Sequence, residues 1–236
     1  MRKFGFDNEY GTSFDYGIHF LSFPVFQYGQ EVVNDIEVSN RAGTLTERTG
    51  TYSNTVITNE LEFDCSCLAE YENKMQEIRR WLKKTRKVTY TDAEEKYFAV
   101  KKIEIDEEAR LYGVFGNITV IFTCSPSTFF HDGDSEINIL SGDSIYNAFS
   151  VAHPIYRISG EGMCTLIVNG KSIKANIGQN LTIDTDLMIA YREDGTLINT
   201  SIAGNYEDIY LQEGNNSIAF SAGFTVKLVP KWRVLT

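Results

Sequence analysis

The side chains best suited to catalysis or metal binding are few and scattered along this sequence. The three histidines, His19, His131 and His153, lie far apart, and none stands at metal-ligand spacing from a second histidine or a cysteine. A protein zinc site is built from such a cluster. Cys65 and Cys67 could hold a metal together, but no second cysteine pair accompanies them. The sequence therefore predicts neither a metal site nor a cofactor site.

Signatures of known catalytic machinery do not occur in the sequence either. There is no G-x-S-x-G elbow, no phosphate-binding loop with its lysine and no H-E-x-x-H pair. A glycosidase needs two carboxylates that face each other in a cleft. Among 32 acidic residues, no feature singles out such a pair. We therefore predict that the protein is not an enzyme and has no catalytic residues.

An acidic stretch near the middle of the chain resembles the start of a calcium loop. Asp132, Asp134 and Glu136 supply carboxylates at alternate positions, but the loop's glycine at the sixth position and glutamate at the twelfth are missing. The acidic, small side chains of residues 131–144 are instead typical of a solvated linker. We predict a linker over 131–144, between a domain of residues 1–130 and a domain of residues 145–236.

Aromatic side chains offer one further kind of chemistry, the binding of sugars. Tyr191, Tyr206 and Tyr210 could form a flat platform under a sugar ring. Such side chains more commonly pack in a core or an interface. Glycan binding stays open as an alternative function.

Length, composition and charge limit the class of protein. The 236 residues suffice for one large or two modest domains, and 13% aromatic residues with only four prolines are typical of a folded, β-rich protein. The net charge of −10 opposes binding to nucleic acid or to an anionic membrane. No apolar segment is long and unbroken enough for a secretion signal or a membrane span. We predict a cytosolically made protein that binds no membrane and no specific nucleic acid.

The four cysteines show no disulfide framework. Cys65 and Cys67 lie two apart on one face of a predicted strand, where they cannot easily bond to each other, and Cys124 and Cys164 are isolated. We expect reduced, buried thiols, as in a protein made in a reducing compartment.

These scattered groups must be positioned by an amino-terminal half that combines strands with one helix. Residues 55–67 alternate apolar and polar side chains, as a half-buried strand does. A helix is predicted over 68–84, because its apolar side chains fall at spacings of three or four on a single stripe. The stripe consists of Leu68, Tyr71, Met75, Ile78, Trp81 and Leu82.

Other segments complete an α+β amino-terminal domain. Two alternating strands, 97–106 and 111–124, form a predicted hairpin joined by residues 107–110. Nearer the amino terminus we predict a strand over 18–26 and a long exposed loop over 41–51, because that polar, glycine- and threonine-rich run cannot fill a core.

The carboxy-terminal half contains at least seven short strands and no predicted helix. Asn169-Gly170 is the strongest hairpin signal among them, since both residues tolerate the positive φ of a type I′ turn. The last segment, 209–234, is too apolar to hang free and is predicted to consist of sheet strands. The pattern indicates an all-β sandwich or barrel.

The order and spacing of these segments resemble the distal tail (Dit) protein family, which forms the baseplate hub of long-tailed phages and related prophages of Gram-positive bacteria. In the amino-terminal half the matching motifs are Leu61-x-Phe63-x-Cys65, Ile78-Arg79-Arg80-Trp81-Leu82, Tyr97-Phe98-Ala99-Val100, Phe115-Gly116 and Ile121-Phe122-x-Cys124-Ser125-Pro126. In the carboxy-terminal half they are Asn147-Ala148, His153-Pro154, Ile158-x-Gly160-x-Gly162, Leu166-x-Val168-Asn169-Gly170, Ile183-Asp184, Leu211-x-Glu213-Gly214-x-Asn216-x-Ile218-x-Phe220 and Trp232-Arg233.

The resemblance implies an amino-terminal domain that forms a six-fold ring and a galectin-like β-sandwich that projects from it. It implies a virion tail-tip protein that joins the tail tube to the tail-associated tip protein, holds receptor-binding parts and leaves a central channel for DNA. A hexamer or a dimer of hexamers is the implied assembly. The galactose-binding set of true galectins is missing from the sequence, so the resemblance does not imply sugar binding.

Overall fold

The computed structural model describes residues 4–40, 42–111 and 115–235, which divide into two units. The first unit extends to Thr128 and also includes Leu235, and the second covers Phe129–Val234. No helix in this described part of the chain has both the length and the apolar character needed to cross a membrane.

The first unit consists of one long sheet, one helix and a separate two-stranded hairpin. Its elements are β1 (Phe6–Asn8), β2 (Gly11–Thr12), β3 (Ile18–Phe20), β4 (Val25–Gln27), β5 (Glu31–Glu37), β6 (Thr44–Tyr52), β7 (Thr55–Asp64), α1 (Leu68–Leu82), β8 (Lys87–Tyr90), β9 (Lys96–Leu111) and β10 (Phe115–Phe130). The division between the two units falls within β10, after Thr128. The long sheet has the order β2-β1-β8-β9-β10-β7-β3, and β4 also pairs with β7. β5 and β6 pair only with each other.

The helix packs on this sheet through its predicted apolar stripe. Its buried side chains join the core that also contains Phe6, Phe63 and Phe122 of the strands. The stripe members found there are Tyr71, Met75, Ile78, Trp81 and Leu82, while the side chain of Leu68 lies outside the described ones. The predicted helix is therefore confirmed, with its end at Leu82 rather than at residue 84.

Trp81 of α1 contacts three residues of the amino-terminal segment. Its ring stacks on Phe6 with centroids 5.3 Å apart and on Tyr16 at 4.4 Å. Its Nε1–H donates a 2.8 Å hydrogen bond to Asn8 Oδ1. The side chain is thus buried and satisfied, as an indole in a core must be.

The loop predicted over 41–51 is wrong, because most of it forms β6. β6 pairs antiparallel with β5 from Glu37↔Thr44 to Glu31↔Tyr52. All nine residues of β6 are exposed. A strand without a buried face lacks the apolar alternation from which a strand is predicted, so the segment looks like a loop in sequence.

Three boundaries in the first unit also differ from prediction. The strand predicted over 18–26 is split into β3 and β4 around Pro24, which has no N–H to donate to a ladder. The strand predicted over 55–67 ends at Asp64. Residues 107–110, predicted as the hairpin connection, continue β9, and the connection falls at 112–114, outside the described residues.

The second unit contains the remaining strands and three short 3-10 helices. They are η1 (His131–Asp134), β11 (Ile137–Ile139), β12 (Ser144–Asn147), β13 (Ile155–Gly160), β14 (Met163–Val168), β15 (Lys171–Asn176), β16 (Gln179–Asp184), β17 (Ile189–Tyr191), η2 (Asn199–Ser201), β18 (Ile202–Ala203), η3 (Tyr206–Ile209), β19 (Gly214–Phe220), β20 (Thr225–Val229) and β21 (Arg233–Leu235), whose last residue belongs to the first unit. Two five-stranded sheets have the orders β11-β20-β13-β16-β17 and β12-β19-β14-β15-β18.

These two sheets enclose one hydrophobic core, so the second unit is the predicted β-sandwich. Tyr156, Ile158 and Leu228 enter the core from one sheet, and Leu166 and Ile218 from the other. Asn169 and Gly170 have φ values of 52° and 81°, which a type I′ turn requires. This turn joins β14 to β15 as the sequence predicts.

The predicted linker over 131–144 is not a linker in the structure. It contains η1 and β11, and β11 pairs with β20 through Ile137↔Leu228 and Ile139↔Val226. The side chain of Ile139 belongs to the sandwich core. A strand of three residues is too short to show alternation among the acidic and small residues that surround it.

We expect Trp81→Ala to lower the free energy of unfolding by about 3–5 kcal/mol, because a large buried side chain and its contacts are lost. Trp81→Phe keeps an aromatic ring but removes the indole hydrogen bond to Asn8 Oδ1, which still accepts from the Tyr10 N–H, so a smaller loss of about 0.5–1.5 kcal/mol is expected. Urea denaturation of both variants measures the two values. An unchanged midpoint in Trp81→Ala would contradict the packing of α1 described above.

Candidate interaction surfaces

The three histidines lie in different elements, and His153 is at the centre of a polar cluster. His19 lies in β3, His131 in η1 and His153 after β12. His153 Nδ1 is 2.7 Å from Asp186 Oδ1, and its Nε2 is 2.6 Å from Arg233 Nη2. A guanidinium can only donate, so Nε2 accepts and Nδ1–H donates to the carboxylate.

This cluster in the second unit is structural in character. The His153 ring stacks on Tyr210 with centroids 4.0 Å apart, and Arg233 Nε donates to the Val151 carbonyl at 2.8 Å. Burial lowers the pKa of the Arg233 guanidinium, and Asp186 opposes that shift. Both ring nitrogens are occupied, so the cluster offers no free acid or base. Its members are far apart in the chain, so no spacing in the sequence indicates that they form a cluster.

The acidic stretch that resembled a calcium loop is engaged by cations of its own unit. Asp134 lies 2.7 Å from Lys231 Nζ. Glu136 forms ion pairs with Arg157 and Lys227, and the hydrogen bond from Lys227 is the main cause that lowers the pKa of this carboxyl. Among the described residues, no group of three or more His, Cys, Asp or Glu could hold a metal ion.

The cysteines differ from the prediction at one position. Cys65, Cys124 and Cys164 are buried, whereas Cys67 is exposed. Both Cys65 and Cys67 lie beyond the end of β7, and Cys67 is the residue that precedes α1, so the two do not share a sheet face. Burial raises the pKa of the Cys124 thiol to about 12 and also raises the pKa of Cys65 and Cys164.

The hairpin β5–β6, called the arm below, is the most exposed element of the first unit. Directly opposite residues lie on the same face of a sheet, so the pairs Ile36↔Leu45 and Asn34↔Glu47 share one face. Ile36 and Leu45 are 45% and 46% exposed. An isolated two-stranded hairpin is marginally stable in water. The arm therefore carries an apolar pair that the chain itself does not cover.

A second group of uncovered apolar side chains precedes the arm in the sequence. Its members, called the ridge below, are Leu21, Phe23, Val25 and Tyr28, each at least half exposed, with Phe23 at 76%. Single exposed apolar residues are ordinary, but a run of four beside another apolar segment is typical of an interaction surface.

A small hollow of about 210 Å³ lies beside α1 and has an aromatic lining. Tyr10, Tyr16 and Trp81 supply rings, and Glu77, Arg80 and Lys84 supply charged groups. Lys84 Nζ lies 5.9 Å from the centroid of the Tyr10 ring. This aromatic hollow could receive an apolar side chain with a carboxylate near it.

A shallow groove of about 400 Å³ crosses the outer face of one sheet of the second unit. The lining includes one row formed by Lys227, Arg157, Thr182 and Tyr191, which are direct cross-strand neighbours. Asn180 lies in the adjacent row. Of the three tyrosines considered as sugar platforms, only Tyr191 lines this groove.

The other two tyrosines have internal contacts instead. Tyr210 stacks on His153, and burial raises its pKa, as burial also does for Tyr206. The Tyr206 hydroxyl lies 3.5 Å from Asn199 Oδ1. The structure therefore does not bring the three tyrosines into one platform.

Comparison with known proteins identifies the fold. No protein-family model and no curated protein matches the sequence. The crystal structure of the phage SPP1 Dit protein (gp 19.1), described as a paradigm of the hub adsorption apparatus in phages that infect Gram-positive bacteria, is 12% identical, with a TM-score of 0.67 over 96% of this chain and 98% of that chain. A chain of the phage p2 baseplate in its activated conformation with Sr is 14% identical, with a TM-score of 0.51 over 96% and 98%. The chain therefore has the Dit fold over nearly its whole length, as the sequence motifs predicted.

We expect a thiol reagent to label one cysteine in the native protein, Cys67, and all four after unfolding. The other three thiols are buried, and their raised pKa values keep the reactive thiolate scarce at neutral pH. Mass spectrometry after brief alkylation counts the labels. Cys67→Ser should remove native labelling, and a second label on the native protein would contradict the burial of the remaining thiols.

Proposed function

We propose that the protein is a structural tail-tip component of a long-tailed phage: a ring-shaped hub that joins the tail tube to the tail-associated tip protein and to receptor-binding parts. The observation that carries this proposal is the Dit fold, shared with the SPP1 hub protein over 96% of this chain and 98% of that chain. Its place would be the tip of the virion tail, after synthesis in the cytoplasm of a bacterial host.

In this proposal the amino-terminal domain of residues 1–130 closes the ring. A closed ring needs a head-to-tail contact between two different patches of each subunit. The arm, and the ridge that precedes it in the sequence, are suited to one side of this contact, because burial of an exposed Val, Leu, Ile or Phe side chain contributes about 1.5–3 kcal/mol. The assembly would be a hexamer or a dimer of hexamers.

The sandwich, formed by the second unit of Phe129–Val234, would project from the ring as a galectin-like domain. Its role would be to hold receptor-binding parts, whereas the ring would contact the tube protein and the tip protein. The net charge of −10 would oppose adhesion of DNA to the wall of a central channel. None of these roles requires a catalytic group or a cofactor.

The proposal predicts that the purified protein forms a ring of six or twelve copies, seen as a particle with a central hole by negative-stain microscopy. Ile36→Asp together with Leu45→Asp should shift the protein to monomers in light scattering, because charge is placed in the apolar pair of the arm. Leu187→Asp is the matched control, since this leucine of the second unit is 64% exposed and outside the proposed contact. A wild-type protein that stays monomeric at high concentration would refute the ring.

A second candidate function is the binding of host cell-wall glycan by the second unit. The groove on its outer sheet face favours it, because Tyr191, Asn180 and Arg157 place an aromatic ring, an amide and a guanidinium side by side. Aromatic faces and planar hydrogen-bonding groups are suited to a sugar ring with many hydroxyls.

Glycan binding predicts that the protein sediments with purified cell walls and that Tyr191→Ala reduces the bound fraction about tenfold, since loss of an aromatic stacking surface costs on the order of 1 kcal/mol or more. Tyr206→Ala is the control, because Tyr206 does not line the groove. Equal binding by both variants would rule out the groove as the glycan site.

A further inference from the structure

The aromatic hollow beside α1 has cations at its edge and beyond it that form no ion pair with a carboxylate of the described residues. Arg80 and Lys84 line it, and Lys83 and Arg86 follow on the exposed surface. Within the described residues, no carboxylate lies within ion-pair distance of any of these four side chains. Glu77 is the single acidic residue on the lining. The hollow therefore presents an aromatic floor and a net positive edge.

The floor of the hollow is rigid and incompletely covered. Trp81 is 4% exposed and stacks on Tyr16, so the floor belongs to the hydrophobic core. Tyr10 is 55% exposed at its edge. Such a site favours an aliphatic side chain over the rings and carboxylates beside it, since desolvation strengthens ion pairs with the two cations.

The apolar face of the arm has this complementary composition. Ile36 and Leu45 are opposite each other in the ladder. Glu47, two residues after Leu45, lies on the same face. Glu37 ends β5 directly before exposed Val38 and is opposite Thr44, so it lies on the other face of the arm. Within the described residues, neither Glu37 nor Glu47 has an ion-pair partner. The arm thus offers an aliphatic pair with the unpaired carboxylate of Glu47 next to it.

We propose that the aromatic hollow of one copy receives the Ile36–Leu45 pair from the arm of a neighbouring copy, with Glu47 paired to Arg80 and Lys84. This inference rests on the proposed ring and assigns its contact to named side chains. The two patches differ and lie on the same chain, which is the requirement for a head-to-tail contact. Charge also favours a second copy as occupant, because an arm of acidic and apolar residues complements a hollow of basic and aromatic ones.

Net charge makes such local pairing necessary. Copies that each carry a charge of −10 repel one another. A contact between two such copies must therefore place opposite charges close together where it forms. The basic end of α1 and the acidic arm are able to do so.

Charge reversal with rescue tests the contact. Arg80→Glu with Lys84→Glu should raise the concentration for half-maximal assembly about tenfold or more, because each cation would be replaced by a charge that repels the arm. Addition of Glu47→Lys should restore assembly, and Glu37→Lys on the other face of the arm is added with it to return the net charge to its original value. Analytical ultracentrifugation at several concentrations measures both shifts, and circular dichroism checks that each variant is folded.

The control variant carries Lys171→Glu and Lys174→Glu, at two exposed positions of β15 in the second unit. These substitutions change the net charge by the same amount as Arg80→Glu with Lys84→Glu. The control variant should assemble like the wild type. If the wild type forms a ring and Arg80→Glu with Lys84→Glu forms it equally well, the inference is overturned and the ring proposal stands. If the four-fold variant is not rescued, the arm is not the occupant and the inference is likewise overturned. A wild type that never assembles would overturn the ring proposal itself, and this inference with it.

Discussion

The packing of α1 on the first-unit sheet is the interaction on which the surfaces of that unit depend. Trp81 lies against Phe6 and Tyr16 and donates to Asn8, so a single side chain joins the helix to β1 and to the turn that follows β2. The same ring is the floor of the aromatic hollow. Core and surface are therefore not independent here. A change that releases the helix removes the hollow as well, and the cations on the exposed face of α1 lose their fixed positions.

The arm differs from α1 because the described residues of its own chain do not bury its apolar pair. Its two strands are stabilised by their own ladder, and a hairpin of this kind is marginal in water unless another surface packs on it. Ile36 and Leu45 face each other and solvent at the same time. The first unit thus combines a well-packed body with a hairpin that leaves its apolar pair exposed. This contrast between body and arm is what makes assembly the natural interpretation of the fold.

The sequence predicts an element well where one face is buried, because burial produces a regular spacing of apolar residues. It does not predict elements that lack such a spacing. The stripe that contains Tyr71, Ile78 and Trp81 has a buried face, and its helix was predicted almost to the residue. The Asn169-Gly170 turn was predicted from backbone chemistry alone. β6 was missed because a strand exposed on both faces has no apolar alternation, and β11 was missed because three residues are too few. The hollow could not be predicted, since it forms from segments about 70 residues apart whose proximity is set by tertiary packing.

Several cations of the second unit are paired with carboxylates, whereas the cations at the end of α1 in the first unit are not. In the sandwich, Lys171, Lys227 and Lys231 each bind a carboxylate of their own unit. At the end of α1, Arg80 and Lys84 have no such partner within the described residues. Exposed ion pairs within a chain contribute little to its stability, so their main effect in the sandwich is to satisfy the cations locally. Arg80 and Lys84 remain available, and in a chain with a net charge of −10 they are able to attract another copy. The unpaired cations and the exposed apolar pair of the arm therefore lie on the same unit, the first, to which the proposed function assigns the ring contact.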